Sequence, residues 1–198
     1  MFHLDANTST MTTALVQPQI TADLDAAVGI LSFRTSFTED VELTGPMAVR
    51  LFVSSDGPDD VDFYVFVRKL DAAGEPLLPY LPLGVPVPGA KGQLRASHRE
   101  LDSAASTDLV PVHRHQSAHP LTPGEVVSLD VPIWPVAMAW HAGEQLELLI
   151  SVQDLFPTSA LITGPPAAGG EPTGDNGTIT LWTGASYPSR LIVNRVPS

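Results

Sequence analysis

Serine is the first residue type to consider for covalent catalysis, because the sequence contains no cysteine. A nucleophile elbow requires Gly-x-Ser-x-Gly between a strand and a helix, since its glycines permit the sharp turn that exposes the serine oxygen. The nearest match, Gly184-Ala185-Ser186-Tyr187-Pro188, ends in proline and lies between two predicted terminal strands. The sequence also lacks a Ser-x-x-Lys motif. We therefore predict that this chain carries no acyl-transfer nucleophile.

Histidine is the second residue type that could support chemistry, as a metal ligand. Neutral imidazoles two positions apart on an extended chain face the same side and can share a metal ion. His113, His115 and His119 lie in one proline-bounded loop, and His98 and His141 lie elsewhere in the chain. Metal sites generally need supporting carboxylates and rigid placement, which such a loop does not predict. We therefore interpret the loop as solvated and predict no metal or other cofactor, while His113, His115 and His119 remain the metal candidates.

A charged pair is predicted between two of the strands. Asp62 opens a run of aromatic and β-branched residues, and Arg95 and Arg99 stand in a more polar strand predicted over residues 93–101. Alternation along that strand places both arginines on one face. We predict that Asp62 pairs with one of them, and the alternative is that these are unrelated surface charges.

A third candidate site is the apolar, proline-rich segment from residue 77 to 87. Its prolines remove backbone donors, so we expect it neither to join a strand ladder nor to form a helix. Apolar side chains without strand partners predict a docking surface. The alternative is that the loop folds back and closes the core. The predicted docking residues are Leu77, Leu78, Tyr80, Leu81 and Leu83.

The segments that must position these residues have the alternating pattern of β-strands. Residues 124–152 contain two apolar-polar alternations joined by the turn-forming stretch 141–144, and similar alternation recurs over 46–53 and 63–67. No stretch of ten residues shows helical periodicity, and 19 prolines and 15 glycines punctuate the chain. Short strands at turn-bounded spacing predict an all-β fold, an antiparallel β-sandwich of the jelly-roll kind. Shorter strands are predicted at 29–33, 178–182 and 190–193.

Length and charge narrow the functional classes. The 198 residues fit one domain, which we place at 21–198, after a polar, threonine-rich flexible arm at 1–20. Ten basic and 22 acidic residues give a net charge of -12, which disfavours nucleic acid and anionic membranes as partners. The chain shows neither an export signal nor an apolar run of about 20 residues. We therefore expect a cytoplasmic protein.

Five ordered blocks of this sequence resemble a known family. The chain is similar to the C-terminal domain of X-Pro dipeptidyl-peptidases and cocaine-esterase-like (CocE/NonD) serine hydrolases. The resemblance extends over most of the chain from near Leu31 to Val196. The blocks are LTGPMAVRLFVSSD (43–56), VDFYVFVRKLDAAGEP (61–76), GQLRASHRELD (92–102), HPLTPGEVVSLDVPIWPVAMAWHAGEQLELLIS (119–151) and GTITLWTGASYPSRLIV (177–193).

The resemblance implies a galactose-binding-like jelly roll that packs against an α/β-hydrolase domain and helps to wall its acyl pocket. In that family the serine, aspartate and histidine lie on the hydrolase domain, so the isolated chain is expected to be inactive. The expected partner is that catalytic domain or a second copy of this chain.

The alternative function is a free-standing carbohydrate- or ligand-binding module, which would need an exposed aromatic platform. We expect Trp134 and Trp140 to pack in the connection between the two strands of residues 124–152. The platform candidates are Trp134, Trp140, Trp182, Tyr80 and Tyr187.

Overall fold

The computed structural model describes residues 1–81, 84–155 and 176–197. Within those ranges the chain forms strands and loops with a turn of 3-10 helix at Ala96–His98 and no α-helix. In chain order the strands are β1 (Phe2–Asp5), β2 (Thr10–Thr12), β3 (Ile20–Asp25), β4 (Ile30–Ser36), β5 (Val41–Asp56), β6 (Asp62–Leu70), β7 (Tyr80–Leu81), β8 (Val85–Pro86), β9 (Ala90–Arg95), β10 (Val127–Trp140), β11 (Gln145–Ser151), β12 (Thr178–Thr183) and β13 (Arg190–Ile192).

Nine strands close into a ring, in the order β5, β10, β9, β6, β11, β4, β2, β1 and β13, which pairs again with β5. β5 has 16 residues, so β10 can run along one of its edges while β13 and β12 share the other. β3 extends the sheet beyond β12. Every pairing is antiparallel except the contact of Thr10 with Arg34, which joins β2 to β4. The predicted all-β, antiparallel, sandwich-like fold is confirmed.

Alternating apolar residues of the long strands form the core. Val49, Leu51 and Val53 of β5 are fully buried, and their partners on β10 are Val131, Leu129 and Val127. Burying a Val or Leu side chain contributes roughly 1.5–3 kcal/mol, so this one ladder supplies a large share of the driving force.

The hairpin between β10 and β11 is closed by Trp140. Its side chain is fully buried, its indole Nε1 donates to the Gln145 carbonyl at 2.9 Å, and its ring lies 5.7 Å from that of Phe37. Trp140 therefore packs in this connection, as predicted.

The prediction of a flexible arm at 1–20 is wrong for residues 2–12. β1 lies between β13 and β2 and completes the ring, and Leu4 and Met11 are buried. Two apolar residues seven positions apart give no local period. Strand formation here depends on a partner near the other end of the chain, which a sequence pattern does not display.

A buried carboxylate joins three strands. Glu147 of β11 is fully buried and stands in register with Arg34 of β4 and Arg68 of β6. Its carboxylate accepts from Arg34 Nε at 2.9 Å, from Ser32 Oγ at 2.6 Å and from Arg68 Nε. Burial by itself would raise the pKa of Glu147, but the hydrogen bonds from Arg68, Ser32 and Arg34 and the charge of Arg68 outweigh it and lower the pKa.

Replacing Glu147 should be costly. We expect Glu147→Gln to lower the free energy of unfolding by about 3 kcal/mol, because two guanidinium groups lose their shared counter-charge. Since the folded-state pKa is lowered, the wild-type contribution is fully present above the unfolded-state pKa of about 4.3 and is lost as pH falls from there. Urea unfolding at neutral and acidic pH measures both effects. The exposed Glu75 supplies the control, and an effect of Glu147→Gln as small as that of Glu75→Gln would contradict this account.

The charged pair predicted for Asp62 forms with Arg95. The two residues are direct cross-strand partners of β6 and β9, and Arg95 Nε and Nη2 each donate to the Asp62 carboxylate at 2.9 Å. The predicted strand over 93–101 is wrong beyond Arg95, because the chain turns into the 3-10 helix. Arg99 consequently leaves the face of Asp62 and donates to the carbonyls of Ala96 and His119.

A double-mutant cycle should separate the two arginines. With Arg95 nearly half exposed, we expect a coupling between Asp62→Ala and Arg95→Ala of under about 1 kcal/mol but above zero. The matched cycle of Asp62→Ala with Arg99→Ala should give no coupling. Equal coupling in the two cycles, measured by urea unfolding, would be inconsistent with this geometry.

Candidate functional site: an apolar groove beside a β-bulge

An irregularity in the longest ladder creates the candidate site. Pairing of β10 with β5 runs from Val127 to Ile133 and resumes at Val136 after a register shift. Trp134 and Pro135 thus face the single residue Pro46, which defines a β-bulge. Proline has no N–H for the ladder, so the bulge falls where prolines stand on both strands. Trp134 follows the buried Ile133, so alternation places it on the outer face, where 60% of its surface is exposed, and the bulge leaves Pro135 exposed beside it.

The second wall is the segment 77–87, which folds as a short hairpin. Tyr80 pairs with Pro86 and Leu81 with Val85, and the Val87 amide donates to the Pro79 carbonyl at 2.9 Å. The expectation that this segment joins no ladder is therefore wrong. Its prolines stop the ladder from extending but permit two residue pairs that stand apart from the main sheet.

The hairpin and the bulge enclose a groove of ≈ 800 Å³. Leu77 is 45% exposed and Tyr80 69% exposed, whereas Val87 at the base of the hairpin is buried. The exposed side chains of Leu77 and Tyr80 therefore do not fold back to cover the core. The apolar lining of what we call the Trp134 groove consists of Leu77, Leu78, Pro79, Tyr80, Val87, Ala90, Trp134, Pro135, Val136, Ala137 and Met138.

The cationic side chains at the groove have partners within the chain. Arg68 contacts Glu147, and Lys69 Nζ lies 2.6 Å from Glu144 Oε2 and donates to the Ala139 carbonyl at 2.8 Å. Arg68 shares Glu147 with Arg34, so only Lys69 has a carboxylate to itself. Most of the lining is nevertheless aromatic and aliphatic, which suits a largely apolar partner.

Of the predicted docking residues, Leu77, Leu78 and Tyr80 line the groove. The Leu81 backbone belongs to β7, and Leu83 lies outside the described residues. Sequence reasoning missed Trp134, which was expected to pack inside. The pattern that could have identified it is the alternation itself, since Trp134 comes directly after the inward-facing Ile133 and so takes the outward position.

The histidines assemble differently from the prediction. The His115 ring lies 5.6 Å from the ring of His98 and 5.8 Å from that of His113. His119 instead contacts Glu100, with 3.2 Å between Nε2 and Oε2. The cluster therefore contains His98 in place of His119.

Ser186 has no catalytic surroundings. It is exposed in the turn between β12 and β13, and within the described parts of the chain no side chain donates to or accepts from its hydroxyl. The ring of the neighbouring Tyr187 makes an edge-on contact with Trp182 and a tilted contact with Phe52, at centroid distances of 5.5 and 5.6 Å. The turn thus serves packing between strands.

None of the helical structure in the described ranges is long and apolar enough to span a membrane.

Comparison with solved structures identifies close architectural relatives. A CocE/NonD family hydrolase from Staphylococcus aureus superimposes with a TM-score of 0.89 and 28% identity, over 98% of this chain and 36% of that one. An aminopeptidase from the marine sediment archaeon Thaumarchaeota archaeon gives 0.65 and 15% identity, over 99% and 36%. An alpha-amino acid ester hydrolase gives 0.63 and 12%, over 98% and 36%; these last two show the fold alone.

This chain spans about a third of the length of these relatives. No curated protein sequence matches it. The family model of the X-Pro dipeptidyl-peptidase C-terminal non-catalytic domain matches residues 3–192. The match covers nearly the whole chain and agrees with the missing nucleophile elbow. The chain accordingly belongs to the family of X-Pro dipeptidyl-peptidase C-terminal non-catalytic domains.

Proposed function

We propose that this chain is the accessory domain of an α/β-hydrolase that cleaves esters or X-Pro amides, and that the Trp134 groove docks the catalytic domain. The observation that carries the proposal is an exposed apolar groove on a domain of a non-catalytic family. A groove lined mainly by aromatic and aliphatic side chains, with a few charged residues beside them, is a common form of binding site. Docked there, the domain would help to wall the acyl pocket.

The groove has the features expected of an interface centre. Trp and Tyr dominate the binding energy of many interfaces, because a large rigid ring buries much area at low entropic cost. Trp134 and Tyr80 both line the groove, together with aliphatic residues. Arg68 and Lys69 also belong to the lining, and each already contacts a carboxylate of this chain.

We also propose the finer fold class, a galactose-binding-like jelly roll, which the family resemblance supports. That architecture is shared with carbohydrate-binding modules. A second candidate function, binding of a sugar ring, is favoured by the exposure of Trp134 and Tyr80 in one groove. The remaining alternative partner is a second copy of this chain, which would associate through the groove.

The first consequence of this proposal is that the isolated chain should have no hydrolase activity. The isolated chain should not hydrolyse p-nitrophenyl esters or X-Pro amides above buffer background, because its sequence contains no nucleophile elbow to expose a serine for attack. A serine-directed fluorophosphonate probe should leave it unlabelled while labelling a full-length CocE/NonD hydrolase. Stoichiometric labelling at Ser186 would overturn the prediction.

Polar substitution of the groove should abolish docking but not folding. We expect Leu77→Ser, Tyr80→Ser and Trp134→Ser together to change the free energy of unfolding by less than about 1 kcal/mol, since all three side chains are substantially exposed. Binding to a hydrolase catalytic domain, or self-association measured by sedimentation, should fall at least about tenfold. Val28→Ser with Ile30→Ser, exposed elsewhere, is the matched control.

A large loss of stability with unchanged association would show instead that the hairpin belongs to the core. Loss of binding to neutral oligosaccharides, with protein association unchanged, would favour the carbohydrate-binding alternative.

A further inference from the structure

A polar pocket lies on the outer face of the β6–β9 ladder and shares no residue with the Trp134 groove. Asp62 pairs with Arg95 and Tyr64 with Gln93 in direct register, so alternation places these four side chains on one face of the two strands. The pocket has a volume of ≈ 410 Å³, which lies within the range of small-molecule sites. Its edge is formed by His98 and His115.

Polar side chains form most of the surface of this pocket. Phe63 and Leu94 also belong to the lining, but both side chains are buried in the core, so they contribute mainly backbone. The other lining residues offer a carboxylate, a phenol, an amide, a guanidinium and two imidazoles. An apolar ligand would remove water from these groups without replacing its hydrogen bonds, so the pocket suits a polar ligand.

Much of the hydrogen-bonding capacity at the pocket is not used within the chain. Among the described residues, neither the Tyr64 hydroxyl nor the Gln93 side-chain amide has a hydrogen-bond partner. Arg95 donates to Asp62 through Nε and Nη2, which uses only part of the donor capacity of a guanidinium. His98 Nδ1 is buried and has no partner in the described part of the chain. Buried polar atoms are nearly always hydrogen-bonded, so this one calls for a ligand or water.

Neighbouring residues hold the pocket in a fixed shape. The Lys91 ammonium lies 5.1 Å from the centroid of the Tyr64 ring and 2.6 Å from the Asp154 carboxylate. The 3-10 turn after β9 is anchored by Asp60, whose carboxylate accepts from the Ser97 amide and hydroxyl at 2.9 and 2.7 Å. Side chains on paired strands and anchored turns are already ordered, which lowers the entropic cost of binding a ligand.

The charges at the pocket favour a neutral ligand. Arg95 is paired with Asp62 and lies 3.9 Å from Asp60, so an anion would have to compete with these carboxylates. A metal ion is disfavoured, because no group of His, Asp or Glu side chains in the described ranges could hold one. Burial, followed by the charges of Asp62 and Asp154, raises the pKa of Tyr64. Its hydroxyl therefore stays protonated near neutral pH and can donate a hydrogen bond.

We propose that this pocket binds a neutral polyhydroxylated ring, that is, one unit of a carbohydrate. A sugar hydroxyl both donates and accepts, so it matches a surface that mixes carboxylate, amide and guanidinium groups. Hydroxyls of one ring would hydrogen-bond Gln93 and Arg95, while the Tyr64 ring offers an apolar surface to the C–H groups of the sugar. This site is distinct from the exposed rings of Trp134 and Tyr80, and it is independent of any docking role of the groove.

NMR titration of the ¹⁵N-labelled chain with the methyl glycosides of glucose, galactose and mannose tests the site. With at least one glycoside we expect saturable shifts of the Tyr64, Gln93 and Arg95 backbone amides. Tyr64→Phe and Gln93→Ala should each weaken that binding roughly two- to tenfold, because each removes one hydrogen bond. The anionic methyl glucuronide should bind more weakly than methyl glucoside, since it approaches the carboxylates of Asp60 and Asp62.

The double variant Tyr80→Ser with Trp134→Ser is the matched control, because it removes the aromatic side chains of the groove and leaves the pocket intact. It should bind the glycoside as the wild type does. The wild-type titration gives a readout that does not depend on any variant folding. Absence of saturable shifts with all three glycosides, tighter binding of the glucuronide, or loss of binding in the groove variant would overturn the proposal.

Discussion

The pairing of β5 with β10 is the constraint on which the rest of the structure depends. Its first segment aligns Val49, Leu51 and Val53 with the buried residues of β10 and so sets the inside of the sandwich. A one-residue slip would turn every one of these side chains outward. The same strand β5 carries β13 and β12 on its other edge. Ring closure and core are therefore consequences of one register.

The candidate docking site arises from the interruption of that register. The alternation that buries Ile133 already places Trp134 on the outer face, and the bulge leaves Pro135 exposed beside it before the inward positions resume at Val136. The bulge therefore puts two consecutive residues on the surface where a regular strand would put one. The hairpin at 77–87 then supplies a facing wall without joining the sheet. The β5–β10 pair thus supplies part of the buried core in its first segment and one wall of the groove at the bulge.

The sequence correctly predicted the strands whose alternating pattern is visible within a short stretch of residues. Alternation identified β5, β6, β10 and β11, and the position of Asp62 at the start of a strand predicted its pairing with an arginine. The predictions that were wrong concern residues whose structure depends on partners far away in the sequence. β1 forms because β13 is available to it, and Arg99 leaves the predicted strand because the chain turns at Ala96. The burial of Glu147 also depends on distant residues, because Arg34 and Arg68 cover it from neighbouring strands. Similarly, spacing grouped His119 with His113 and His115, whereas folding brings His98 there.

Hydrogen–deuterium exchange of this chain, alone and mixed with an α/β-hydrolase catalytic domain, tests the central claim most directly. Amides of free loops and hairpins exchange quickly, and a docked partner protects those it covers. We predict new protection confined to residues 77–80 and 134–138, the two walls of the groove. Protection away from the groove, for example at Tyr64 and Gln93 in another part of the β6–β9 ladder, with the groove unchanged, would contradict the claim.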